Sequence, residues 1–130
     1  MLRVFLDANV LFSAAYRERA GLLALWKIRD ARLLTSGYAA EEARRNLETP
    51  ERKTRLERLL APVEIVPEAL PTGLPRGVRL SAKDEPILHA AIAAGATHLL
   101  TGDLRDFGHL LGRRVGDVVI QTPGDFLRSR

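Results

Sequence analysis

Apolar residues along the chain alternate between short unbroken runs and runs with helical spacing. Val4-Phe5-Leu6 is the first unbroken run, and it climbs into Asp7, so Arg3–Asp7 is expected to be a strand ending on a carboxylate. From about Gly21 to Asp30, Leu22, Leu25, Trp26 and Ile28 give a predicted helix a broad apolar side. Arg32–Ser36 (RLLTS) is a second short strand, followed by helices over Tyr38–Leu47 and Glu51–Leu60, the latter stopped by Pro62. Leu56, Leu59, Leu60 and Val63 fall at i, i+3, i+4 and i+7, with Arg52, Arg55 and Arg58 on the outer side. Val63–Val66 is a third strand, and PEALPTGLPRG reads as a loop. The stretch SAKDEPILHAAIAAG predicts a helix with Ser81 as N-cap and Gly95 as C-cap. Thr97–Thr101 and Asp117–Ile120 are the fourth and fifth strands, with a short helix over Phe107–Leu111 and a last turn in TPGDFL.

Strands alternating with helices argue for one α/β domain over residues 1–130, a parallel sheet with helices on both faces. Such sheets place their sites at the carboxyl ends of strands, where the strand order reverses. Asp7 ends one strand and Asp103 lies just past another, in LLTGD. Neighbouring strands lie about 5 Å apart, so these two carboxylates converge if their strands pair.

Composition narrows the chemistry. The 130 residues are enough for a core without staples, and the absence of cysteine excludes a disulfide framework, a cysteine zinc site and a thiol nucleophile. No apolar run approaches the roughly 20 residues needed to span a bilayer. Arg3 and the apolar residues after it faintly imitate a secretion signal, but Asp7 and Asn9 interrupt that stretch, and a cytoplasmic location with no membrane contact is expected. Net charge is +4, and because only Lys27, Lys53 and Lys83 are lysines, the excess is carried by arginine, which suits bidentate phosphate contact. The same arginines also make an ordinary solvated surface.

Four places could bring carboxylates together: Asp7, Glu41-Glu42, Asp84-Glu85, and Asp103 with Asp106. Singly, each has a structural explanation. Asp7 could cap the next turn, the glutamates could favour a helix N-terminus, Asp84 could close a capping box with Ser81, and Asp103 and Asp106 could shape the TGDLRDFG turn. Collected at one sheet edge, they would repel and raise one another's pKa unless a cation supplied countercharge. Oxygen-only ligation favours a hard ion, Mg²⁺ or Mn²⁺, and such an ion beside basic residues points to metal-assisted phosphodiester hydrolysis.

The stretches FLDANVLFSA, AEEARRNL, KDEPILHAAIAAGATHLLTGDLRDF and TPGDFL, in that order, resemble the PIN domain family, many of whose members are metal-dependent ribonucleases, including VapC-type toxins of toxin–antitoxin pairs. Thr49–Leu80 carries little of the likeness. The resemblance implies a PIN-like, three-layer fold around a five-stranded parallel sheet, with an acidic Mg²⁺ or Mn²⁺ site. Carried over by position, that site comprises Asp7, Glu42, Asp84, Asp103 and Asp106, with Glu41 and Glu85 as the alternative registers. Asn9 falls where the family often has Thr or Asn, and Ser13 and Thr101 are expected to orient the cluster. The products would be a 5′-phosphate and a 3′-hydroxyl. Arg44, Arg45, Arg52, Arg55 and Arg58 are the candidates for contact with an RNA backbone. An antitoxin partner and a homodimer are further expectations of the resemblance.

Two other functions compete. A haloacid-dehalogenase-like phosphatase would use Asp7 as nucleophile with Thr35-Ser36, Lys83 and Asp103, but its acid–base position is occupied by Asn9, which transfers no proton at neutral pH. A non-catalytic binding module of the same fold would be expected to have lost some of the acids, and all are present. His89, His98 and His109 are scattered without ligand spacing, no phosphate-cradling G-x-x-x-x-G-K-[ST] occurs, and Trp26 is expected in the core.

Overall fold

The computed structural model describes residues 1–69 and 74–130. Six strands form one sheet: β1 (Leu2–Leu6), β2 (Ala31–Ser36), β3 (Glu64–Val66), β4 (His98–Leu100), β5 (Arg114–Val115) and β6 (Val118–Gln121). The order across the sheet is β3-β2-β1-β4-β6-β5, and the first five in that order run parallel. β5 pairs antiparallel with β6 across Gly116-Asp117. A five-stranded parallel sheet is therefore present, with a sixth, antiparallel strand at its edge. Two residues are too few to give a readable alternation, and the strand expected from Asp117 begins at Val118 because Gly116-Asp117 forms the turn.

The strand order reverses at β1. From there the chain builds outward through β2 and β3, then returns to lay β4 and β6 on the other side. Side chains alternate across the sheet and feed two cores. Val4, Leu6, Leu33 and Leu100 pack on one face beneath α1 (Ala8–Ala15), α2 (Gly37–Asn46) and α3 (Pro50–Leu60). Phe5, Leu34, Leu99 and Ile120 pack on the other beneath α4 (Glu85–Ala93), with Phe107 of α5 (Leu104–Phe107) joining them. The final helix α6 (Pro123–Arg128) returns Phe126 to the first core.

Several local readings shift. The strand expected to include Asp7 ends at Leu6, and Asp7 caps α1 through its side chain. Val10, Leu11, Ala14 and Ala15 bury one side of α1, an eight-residue helix hidden in the sequence by the continuous apolar run from strand into helix. Gly21–Lys27 is a 3₁₀ helix, not an α-helix, and no side chain caps its start at Ala20. α4 begins at Glu85, after a turn in which the Ser81 carbonyl accepts from the Asp84 and Glu85 amides, so Ser81 heads that turn instead of capping the helix. Gly95, at φ +68°, ends the helix by donating to Ile92 O, a conformation that favours glycine. The predicted short helix begins earlier, at Leu104, and continues as a 3₁₀ turn over Gly108–Leu110. The loop expected over residues 67–77 falls partly outside the described residues; Pro67–Ala69 and Leu74–Gly77 have no regular structure.

Candidate functional site

The carboxyl ends of β1 and β4 are in register, Leu6 opposite Leu100, so the residues that follow them, Asp7 and Thr101, lie side by side. Both are buried, Asp7 at 2% exposure and Thr101 at 0%. The Thr101 hydroxyl donates to Asp7 Oδ2 at 2.8 Å and accepts from the Asp103 amide at 3.0 Å. The Ala8 amide donates to Asp7 Oδ1 at 2.7 Å, and Asn9 Nδ2 donates to Asp7 Oδ2 at 3.3 Å. A carboxylate has about four acceptor sites, so these three donors leave Asp7 room for one further contact. Asn9 also accepts from the Gly102 amide at 2.7 Å. A Cβ at Gly102 would come within 3.3 Å of that same Asn9 oxygen, so glycine there permits the close approach that clamps α1 to the end of β4.

Beside this clamp lies a second carboxylate group. Asp84, Asp103 and Asp106 each present an oxygen within 4.8 Å of the others. Ser81 Oγ lies 3.0 Å from Asp84 Oδ2 and 3.2 Å from Asp106 Oδ2, while Asp103 Oδ1 accepts from the Asp106 amide at 3.1 Å. Asp84 makes no capping bond to α4, so helix capping does not account for this buried acid. Asp7, Glu42, Asp84 and Asp103 line one open cleft of about 230 Å³ together with Ala8, Asn9, Phe12, Asn46 and Lys83. Glu42 is half-buried there, with Lys83 Nζ at 3.9 Å. Glu41 instead points outward to Arg44 at 3.5 Å. Asp106 joins from the rim, and Glu85 belongs neither to the cleft nor to the three-carboxylate group.

The electrostatics follow from burial. Asp7 is pushed from its ordinary 3.8 to about 6, chiefly because burial penalises its charge. The Thr101 and Ala8 hydrogen bonds pull it back, and Glu42 and Asp103 push it further up. Asp84 is pushed to about 7 by burial and by its hydrogen bond with Asp106, whose own pKa is lowered as the acceptor of that bond. Two buried acids thus bind protons well above the usual carboxylate range, protons with which a cation would compete. The donor set is oxygen-only, which fits a hard divalent ion.

The remaining expectations divide. Ser13 is exposed and lines a different hollow with Phe12, Tyr16, Arg17 and Arg52, so it does not orient the acids. Arg44 is bound to Glu57, with Nε 2.7 Å from Oε2. Arg52 Nε donates to the Tyr16 carbonyl at 2.9 Å, and Arg55 donates to the Ala15 and Tyr16 carbonyls, both at 3.0 Å. These two satisfy the last carbonyls of α1, whose negative helix end attracts cations. The expected arginine stripe is therefore largely occupied with holding α3 to α1. Arg45 and Arg58 are exposed and form no ion pair among the described residues. Arg55→Ala is expected to lower stability by about 1–2 kcal/mol, since it strips the charged donor from the Ala15 carbonyl while Arg52 still serves that of Tyr16, as read from the urea midpoint.

The phosphatase reading fails on the same ground. Thr35 Oγ1 donates to the Leu6 carbonyl at 2.8 Å, Ser36 Oγ accepts from the Ala39 amide as the cap of α2, and both residues are fully buried, so neither hydroxyl reaches a phosphate. Phe12 and Asn46 were not foreseen in the cleft. Asn46 stands four residues after Glu42 on one face of α2, and Phe12 three after Asn9 on α1, spacings that become legible once both helices are known.

Comparison with known proteins agrees with this topology. A family model described as the PIN domain matches residues 3–105. VapBC2 from Rickettsia felis, solved bound to a DNA fragment from their promoter, has a similar fold, with TM-score 0.65, 14% identity, and coverage of 93% of this chain and 98% of that one. FitAcB from Neisseria gonorrhoeae gives TM-score 0.59 at 20% identity over 93% and 98% of the two chains. VapBC-1 from nontypeable Haemophilus influenzae gives 0.60 at 15% identity over 95% and 99%. Compared by sequence with curated proteins, the chain has no match. With the family model spanning most of its length and the fold agreeing, the chain belongs to the PIN domain family.

Proposed function

We propose that this protein is a divalent-metal-dependent nuclease that hydrolyses phosphodiester bonds of RNA. The observation that carries the reading is the cleft itself, where two buried acids with raised pKa values share space with Glu42 and Asp103 and, among the described residues, Lys83 is the one cation in the lining. Asp84, Asp103 and Asp106 would hold the ion, with Asp7 and Glu42 contributing from the adjoining walls. When bound, Mg²⁺ or Mn²⁺ supplies countercharge to the acids and to the phosphate, and makes water more acidic.

The chain's own residues do the rest. Thr101, Asn9 and the Ala8 amide hold Asp7 in one orientation. Glu42 accepts the proton of the attacking water. Lys83 lies at the same wall, placed to contact a phosphate oxygen. The water oxygen bonds to phosphorus as the bond to the 3′ oxygen breaks; the leaving 3′ oxygen takes a proton from solvent, giving a 5′-phosphate and a 3′-hydroxyl. Glu42→Gln is expected to slow cleavage of labelled single-stranded RNA in Mn²⁺ by about a hundredfold or more, the range of general-base loss. Glu41→Gln, which removes only the contact with Arg44, is expected to change the rate less than threefold or so. The reverse order would move the base to Glu41.

The reading extends to regulation by a protein partner. The fold's likeness to VapBC and FitAcB supports a toxin restrained by an antitoxin; a homodimer and a cytoplasmic location belong to the same proposal. Among the described residues, no helix is long and apolar enough to cross a membrane.

A further inference from the structure

α1 connects two hollows. Its N-terminal end carries Asp7 and Asn9 in the carboxylate cleft; its C-terminal end, about 12 Å away for an eight-residue helix, borders a second hollow of about 380 Å³. Phe12 lines both, so the two adjoin at this side chain. The second hollow is otherwise walled by Ser13, Tyr16, Arg17 and Arg52. Phe12 and Tyr16 stand four residues apart on one helix face, with ring centroids 5.4 Å apart and planes tilted by 45°. The Arg52 guanidinium lies 3.7 Å from the centre of the Tyr16 ring. Its Nε bond to the Tyr16 carbonyl fixes that position, so the cation and ring form a preorganised stack. Tyr16 remains 44% exposed, so its ring is open to a ligand.

Core packing holds Phe12 and the carbonyl end of α1 holds Arg52, but neither accounts for the open Tyr16 ring against the guanidinium. An aromatic ring backed by an arginine, with a second ring, a hydroxyl and a further exposed arginine, is the chemistry that receives a nucleobase. Rings and guanidinium planes stack on any base, Ser13 can bond its edge, and Arg17 attracts the adjoining phosphate. The charge is wrong for a purely apolar guest and right for a polyanion.

We infer that the Phe12–Tyr16–Arg52 hollow is a stacking subsite for an unpaired base flanking the scissile phosphate. This rests on the nuclease reading of the neighbouring cleft and adds to it. In a duplex, bases are already stacked on one another and cannot enter the hollow without being extruded. Side-chain substitution of Tyr16 leaves its carbonyl in place for Arg52 and Arg55, so the fold survives the test.

The test is binding of a fluorescein-labelled, unstructured RNA oligonucleotide to the full chain in EDTA, with the same RNA annealed to its complement as control. Tyr16→Ala and Tyr16→Leu are expected to weaken single-strand binding by about tenfold, the scale of losing one aromatic–base stack. Tyr16→Phe and Tyr16→Trp keep the affinity, and duplex binding is weak and indifferent to the series. If Leu substitutes as well as Phe or Trp, the hollow is an apolar contact for a protein segment and the inference falls. It falls too if no variant differs from the wild type, or if the wild-type protein does not bind the single strand. Cleavage of the same RNA in Mn²⁺ is read in parallel. Cutting with a flat Tyr16 series sinks the subsite alone, whereas an aromatic-dependent affinity without cutting sinks the nuclease reading alone.

Discussion

Asp7→Asn is expected to abolish RNA cleavage and at the same time raise the melting temperature of the metal-free protein at pH 8. The two effects share one cause. Asp7 is buried, and folding raises its pKa from 3.8 to about 6. Between these values the folded chain binds more protons at this site than the unfolded chain, so stability falls as pH rises. Below about pH 4 both states are protonated and the site contributes no penalty. Above about pH 6 the folded state carries the full cost of a buried charge, on the order of 3 kcal/mol. Asparagine keeps the shape and the acceptor for the Ala8 amide but never ionises. The variant's advantage should therefore appear in melts at pH 8 and fade by pH 4. A variant that is inactive and less stable at every pH would show that Asp7 is a structural cap and nothing more.

The second large effect concerns the ion. Mn²⁺ is expected to raise the melting temperature of the wild-type protein at pH 8, by the equivalent of about 2.7 kcal/mol at a hundredfold excess over Kd. At pH 5 the rise should be much smaller, because Asp7 and Asp84, with pKa values of about 6 and 7, then hold protons that the ion must displace. Asp103→Asn removes one of the three clustered carboxylates and should cancel the Mn²⁺-dependent rise while leaving the metal-free melt close to that of the wild type. An unchanged Mn²⁺ response in that variant would take the ion away from this cluster.

Much of this was legible in the residues, and the gaps have physical causes. The runs ending at Asp7 and before Asp103 mark the strand ends to within one residue because fully buried parallel strands read as unbroken apolar stretches. The PIN resemblance drew on those same stretches. α1 was not legible because its apolar face follows the first strand without a polar break, and with it went the surroundings of Phe12 and Tyr16. The position of Ser13 was misjudged for the same reason, since it depends on helical phase. The arginines of α3 illustrate a different limit. Periodicity put Arg52 and Arg55 on the outer side of the helix, but only the tertiary arrangement shows that this side meets the carbonyl end of α1. Glu41 and Glu42 differ by one position, about 100° around a helix, so the choice between cleft and surface rests on a phase that the sequence pattern leaves loose.

The most direct measurement is the appearance of new chain ends when the purified protein is incubated with end-labelled, unstructured RNA in Mn²⁺, in Mg²⁺ and in EDTA. The account predicts cutting with either ion and none in EDTA, with 5′-phosphate and 3′-hydroxyl ends. Cutting that persists in EDTA, or no cutting with either ion across RNAs of varied sequence, would contradict it.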